Sequence, residues 1–358
     1  MGVATIMGKW KTALVALAAV VGGVGFIGHE ARACSRCVYL GPGGGVIVAR
    51  SMDWMEDTRS NFHVFPRGMA RDGAAGANSI AWTSRYGSVV GTIYDVAAVD
   101  GMNEEGLVAN ILYLAESDYG KPDGTKPTLC ISQWAQYVLD RYATVAEAVE
   151  ALRAEPFVIV APTLPNGSPA TGHLAITDPT GDTAVFEYVD GKLAIHHGRQ
   201  YRVMTNSPTF DKQLAIDAYW KEIGGEAMLP GTHRAADRFV RASYYLEAIP
   251  EIADDRQAIA ATTSVIRSVS VPLGITTPGE PNIASTLWRS IHDLKNRTVY
   301  IDSAVSPTVF WISLSALDFS EGAPVKKLAL SGGETYSGEA SSELRDSEPF
   351  TPLAGAGE

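Results

Sequence analysis

The sequence predicts an α+β protein in which two stacked antiparallel sheets are flanked by layers of helices. Three observations predict it. Short runs of alternating or continuous apolar residues are separated by Gly, Asn and Asp turns, which is the signature of hairpin-linked strands. Stretches with three- and four-residue apolar spacing come in groups instead of alternating with single strands. The resulting order is strands, helices, strands, helices, strands. A doubly wound parallel sheet needs strict strand–helix alternation and is excluded on that ground.

The first strands are read in "CVYL" and "GVIVARSMDW", joined by "GPGGG". Those glycines reach backbone conformations closed to other residues, so a hairpin is expected there. "SVVGTIYDVAAVDGMN" and "GLVANILYL" continue the strand pattern. "ISQWAQYVLDRYATVAEAVEALRAE" then shows helical periodicity, with Thr144 as N-cap of its second half and Glu147 as the capping-box partner. Three strands follow in "GHLAITDPTGDTAVFEYVDGKLAIHH", and another in "YRVMTNSP", ending in a turn. Helices are read in "TFDKQLAIDAYWKEIG", "HRAADRFVRASYYLEAI" and "DRQAIAATTSVIRSVS", and strands again in "RTVYIDSA" and "TVFWISLSAL". No repeat or linker divides residues 34–337, which are read as one domain. Residues 338–358 are polar, acidic and unpatterned, and a mobile tail is expected there.

Residues 1–33 read as a cleaved secretory signal. Lys9 and Lys11 supply the basic start, "TALVALAAVVGGVGFIG" the apolar stretch, and Ala31 and Ala33 the small residues before the cut. Four glycines make this run a poor permanent membrane span, so no stable membrane association is expected after cleavage. The formal net charge is −11 over 358 residues. Because residues 1–33 hold three bases against Glu30, a chain beginning at Cys34 carries −13. Such acidity excludes nucleic acid as the main partner, since phosphate binding needs a basic surface.

Three cysteines are too few for a disulfide scaffold, and Cys130 sits in an apolar segment as a buried thiol. Cys34 admits three readings. It could be a lipid anchor, although Arg32 two residues before it fits poorly. It could pair with Cys37 as a redox dithiol, although this Cys-x-x-Cys precedes a strand instead of opening a helix. Or cleavage after Ala33 could leave Cys34 first in the chain, with its α-amine, which titrates near pH 8 in peptides, as the base for its own thiol. The first two readings suit a lipid-anchored or periplasmic binding protein; the third suits an amidase.

"CSRCVYLGPGGGVIVARSMDW", "DGMNEEGL", "MTNSPTFD", "LPG" with "DRFVRASYY", and "NIASTLWRS" occur in this order between Cys34 and Leu317. Together they resemble the choloylglycine hydrolase family of N-terminal nucleophile hydrolases, which includes penicillin V acylases and conjugated bile acid hydrolases. The resemblance implies an αββα sandwich and an amide hydrolase. It places the nucleophile on Cys34, the active-site Arg and Asp on Arg50 and Asp53, the oxyanion-hole Asn on Asn206, and the remaining charged residue on Arg238, with Arg241 as the alternative register. A further polar position falls on Tyr113, which penicillin V acylases usually share and which could orient substrate or assist the oxyanion hole. Physical reasons accompany two of these: a carboxylate can hold the α-amine by a charge-assisted bond, and a nearby guanidinium favours thiolate.

Trp54, Trp82 and Tyr113 are the candidate walls of an aromatic acyl pocket. The stretch from "TNSP" to "LPG" lacks the long insertion of Gram-positive bile salt hydrolases. By resemblance, the expectation is a periplasmic homotetramer acting on a small amide, closest to Gram-negative penicillin V acylases and linked also to acyl homoserine lactones. The His196–His197 pair lacks metal-ligand spacing and "GPGGG" lacks a phosphate-loop lysine, so neither metal nor cofactor is expected.

Overall fold

In the computed structural model, residues 34–225, 227–275 and 284–355 are described. The signal reading of residues 1–33 lies outside them. Strand β1 (Ser35–Leu40) and strand β2 (Val46–Trp54) form the expected hairpin, with Leu40 opposite Val46. Gly43 and Gly44 take φ of 64° and 81° in the turn between them, a region that a side chain would strain. All nine residues of β2 are buried. They sit in the middle of a seven-stranded sheet whose order is Val203–Met204, β1, β2, Ser285–Asp293, Thr298–Ser303, Val309–Ser313 and Gly338–Glu339.

A nine-stranded sheet runs Lys192–His197, Thr183–Val189, His173–Thr177, Val108–Leu112, Ala97–Asn103, Ser88–Ile93, Asn61–Phe65, Lys326–Ala329 and Arg345–Asp346. Its pairings are antiparallel throughout. The two sheets face each other. The Phe62 ring of one meets the Trp288 ring of the other edge-on at 5.7 Å. Asp100 of the nine-stranded sheet accepts from Ser290 Oγ at 3.0 Å and lies 3.1 Å from His292 Nε2, both on the seven-stranded sheet.

Helices α1 (Trp134–Arg141) and α2 (Val145–Arg153) cover the outer face of the nine-stranded sheet. Helices α3 (Phe210–Ile223), α4 (Ala235–Ala248) and α5 (Asp255–Ser268) lie on the other side, α4 and α5 against β1 and its neighbours. This is the predicted layering of helix, sheet, sheet and helix. Thr144 caps α2 by accepting from the Glu147 N–H at 3.2 Å. Glu147 answers one residue earlier than in a standard capping box, accepting from Ala143 N–H at 3.0 Å.

Several elements differ from expectation. The run from Ser88 to Asn103 is two strands, broken where Tyr94 and Asp95 both take positive φ. Strands Asn61–Phe65, Ser285–Asp293 and Lys326–Ala329 are additional to those read from the sequence. The described part of the final segment, residues 338–355, is docked on the domain, which corrects the mobile-tail expectation there. Ala340, Leu344 and Phe350 are buried, and Phe350 meets the His63 and Phe65 rings at 5.3 and 5.8 Å. A few well-spaced apolar side chains suffice to dock it despite its acidic composition.

Candidate active site

Cys34 immediately precedes β1 and is 3% exposed. Its position follows from the hairpin: β1 carries it alongside the end of β2, and alternation along β2 sends Arg50, Met52 and Trp54 to one face and Ser51 and Asp53 to the other. The Cys34 thiol lies 3.7 Å from Arg50 Nη2 and donates to the Asp53 main-chain carbonyl at 3.8 Å.

The Cys34 N–H donates to Asn206 Oδ1 at 2.6 Å. Asn206 stands just beyond the two-residue strand Val203–Met204, which pairs with β1 and so brings the two residues together. Arg238, from α4, donates to the same Oδ1 at 2.8 Å, to the Cys34 carbonyl at 2.6 Å and to Ser35 Oγ at 2.5 Å. Its Nε donates to the His233 carbonyl at 2.8 Å. With two donors on Oδ1, the Asn206 amide nitrogen must face the other way, and it donates to the Tyr113 carbonyl at 2.7 Å. One of its two N–H groups is thereby committed and one is left for a substrate oxygen.

Asp53 is fully buried, with Oδ1 accepting from Thr286 Oγ1 at 2.6 Å. Its Oδ2 has no hydrogen-bond partner and lies 3.9 Å from Arg238 Nη1. The sequence reading expected Asp53 to hold the Cys34 nitrogen; in the structure Asn206 does so. Asp53 Oδ2 is the acceptor this cradle leaves open.

Burial sets the charge states. It pushes the Cys34 thiol above its ordinary value; Arg50 and Arg238 pull it down, while the Asp53 charge adds to the rise. Two guanidiniums do not overcome desolvation, so the resting group is a thiol that needs a base. Burial also raises Asp53, against the downward pull of Arg238 and Thr286.

Beside the thiol opens an apolar cavity of about 60 Å³, lined by Cys34, Met52, Trp54, Ile111, Tyr113 and Leu353 among others. Trp54 and Tyr113, both in its lining, meet edge-on at 6.3 Å. Trp54 Nε1 donates to Tyr94 Oη at 2.7 Å, which fixes the indole plane. Trp82 is not a wall: its Nε1 donates to the buried Asp140 of α1 at 2.8 Å, and its ring packs on Tyr137 at 5.1 Å. Size and hydrophobicity mark a tryptophan for burial without saying where.

Arg241 caps a loop through the Pro230 and Thr232 carbonyls, so Arg238 is the register that reaches the site. Cys37 is a free thiol pushed up to about 12 by burial. Three residues of extended chain span about 10 Å, beyond the ~7 Å Cα limit of a disulfide, so Cys34 and Cys37 do not form a redox pair here. His197 pairs with Asp182 at 2.7 Å and His196 packs on Phe210. Among the described residues no group of three or more His, Cys, Asp or Glu could hold a metal ion, and no helix is long and apolar enough to cross a membrane.

Sequence reasoning missed Ser35, Thr286 and Trp288. Thr286 and Trp288 lie in the "NIASTLWRS" motif, but nothing in the sequence shows that the Trp288 ring sits 4.9 Å from the Arg50 guanidinium.

The profile of the linear amide C–N hydrolases of the choloylglycine hydrolase family matches residues 34–326, beginning at Cys34 itself. The chain belongs to the choloylglycine hydrolase family. Penicillin V acylase from Pectobacterium atrosepticum is 47% identical over 343 residues, covering 89% of this chain and 91% of that one. The solved penicillin V acylase from Agrobacterium tumefaciens superposes with a TM-score of 0.84 at 55% identity, covering 90% of this chain and all of the other. A variant of conjugated bile acid hydrolase from Clostridium perfringens, at 23% identity and a TM-score of 0.72, covers 83% of this chain and 97% of its own and shares the fold. The protein is thus a linear amide C–N hydrolase of the penicillin V acylase-like kind.

Proposed function

We propose that this choloylglycine hydrolase family member is exported to the periplasm, begins at Cys34 after cleavage, and hydrolyses the side-chain amide of penicillin V-like substrates through a thioester. One observation carries the reading. Cys34 borders an apolar cavity while its nitrogen and carbonyl are fixed by Asn206 and Arg238.

The freed α-amine takes the thiol proton, with Asn206 Oδ1 and Asp53 Oδ2 as its acceptors. The sulfur attacks the substrate carbonyl. The second Asn206 N–H and a backbone N–H stabilise the oxyanion, a contribution of about 3–4 kcal/mol per donor in comparable sites. The proton passes to the leaving amine, and water then hydrolyses the thioester.

The relatives' names and the Trp54–Tyr113 edge favour a phenoxyacetyl group. Acyl homoserine lactones carry the same kind of amide and are the second substrate class, which would make the enzyme a quorum quencher. A conjugated bile acid is the alternative within the family. The working form is a homo-oligomer, a tetramer by family resemblance.

Amine release from penicillin V, an N-acyl homoserine lactone and a glycine-conjugated bile acid tests the reading. The expected order of kcat/KM is as written. No release from any of them by protein with a free N-terminal Cys34 would overturn it. A lipid-modified Cys34 would point instead to an anchored binding protein.

A further inference from the structure

We propose that residues 347–355 form a specificity strap, in which Leu353 supplies one wall of the acyl-binding cavity beside Cys34. The inference rests on the amidase reading above and adds a determinant of acyl choice to it. Leu353 and Cys34 line the same cavity, although 319 positions separate them. The strap lies beyond residue 326, where the family match ends.

The strap is held along its length. Its start is tied by the Ser347 N–H, which donates to the Val325 carbonyl at 2.9 Å. Phe350 packs edge-on against both rings of the stacked His63–Phe65 pair. Around Leu353 itself the backbone is fixed on both sides. Its N–H donates to the Val96 carbonyl at 2.8 Å, and its carbonyl accepts from Ser132 Oγ at 2.8 Å and Cys130 Sγ at 3.1 Å. The Gly355 N–H then donates to the Ala74 carbonyl at 2.7 Å. Five separate segments of the chain thus hold the strap that carries this leucine. A side chain so constrained presents a fixed shape to the acyl group, and a single methylene in such a wall can change discrimination about tenfold or more. Cys130, whose thiol has no part in the chemistry, acquires a purpose as one of the two clamps.

The test compares phenoxyacetyl, hexanoyl and dodecanoyl amides of one amine. Leu353→Ala lengthens the cavity and raises the dodecanoyl-to-phenoxyacetyl ratio of kcat/KM by about tenfold. Leu353→Phe shortens it and moves the ratio the opposite way, and it carries the test if the alanine variant fails to fold. A purely structural role would lower all three substrates together. Ratios within twofold of wild type in both folded variants overturn the proposal. A wild-type enzyme that hydrolyses none of the three overturns the amidase reading and the strap with it.

Discussion

Arg238 and Arg50 reach Cys34 from opposite sides, and they are satisfied very differently. Arg238 binds two main-chain carbonyls, a serine hydroxyl and the Asn206 amide oxygen. Arg50 is equally buried, yet its Nε and Nη1 have no hydrogen-bond partner, and its Nη2 has only long contacts to the thiol and to the Ile111 carbonyl. Burying a guanidinium costs several kcal/mol unless its donors are met. Arg238 offsets that cost through its own bonds. Arg50 leans on the Trp288 face and on the charge of Asp100, so the surrounding fold maintains it. In the proposed mechanism the difference separates two tasks: Arg238 would hold the Cys34 backbone, and Arg50 would keep donors in reserve beside the sulfur for charge that develops there.

The sharpest way to break this contrast is Arg238→Ala. It orphans the Cys34 carbonyl, Ser35 Oγ and one bond to Asn206, so both stability and turnover fall. The expected loss is about 3–5 kcal/mol in chemical denaturation, with kcat down about 10²-fold or more through misplacement of the thiol. Arg50→Met retains volume and removes an under-bonded charge. Its kcat/KM should drop about 10²-fold while Tm holds or rises. If Arg50→Met destabilises the fold as much as Arg238→Ala does, the division of labour is wrong.

Asp53 gives a smaller, pH-dependent effect. Its folded pKa is raised, chiefly by burial, so the folded protein keeps a proton that the unfolded chain releases. Stability from this proton is complete below the ordinary value of 3.8 and is lost as pH rises through the higher folded value. Asp53→Asn should therefore match or exceed wild-type Tm at neutral pH, with the margin shrinking towards acid, while kcat falls about 10–100-fold. A Tm margin that grows towards acid would contradict the assigned sign.

Much of this site was legible because its parts lie in short motifs. The hairpin that carries Cys34, Arg50 and Asp53 is written in two apolar runs and a glycine turn. Asn206 and Arg238 came from the family resemblance, since a turn asparagine and a helix arginine have no distinguishing pattern of their own. The Ser285–Asp293 strand was hidden because Ser290 and His292 face inward, where the period-two pattern expects apolar residues. The tail was misread because its composition averages over many charges, whereas docking rests on a few apolar side chains, Ala340, Leu344, Phe350 and Leu353, and on backbone hydrogen bonds. Trp82 shows the converse: a conspicuous residue whose environment only long-range contacts decide.

The central claim is that Cys34 is both the first residue of the working enzyme and the atom that takes the acyl group. Mass spectrometry of the exported protein, quenched in acid during turnover of penicillin V, tests both parts at once, since acid stops the acyl group migrating from sulfur to the amine. The account predicts an N-terminal peptide that starts at Cys34 and carries one phenoxyacetyl group as a thioester, absent from Cys34→Ser. A peptide that starts elsewhere, or an acyl group on any other residue, would contradict it.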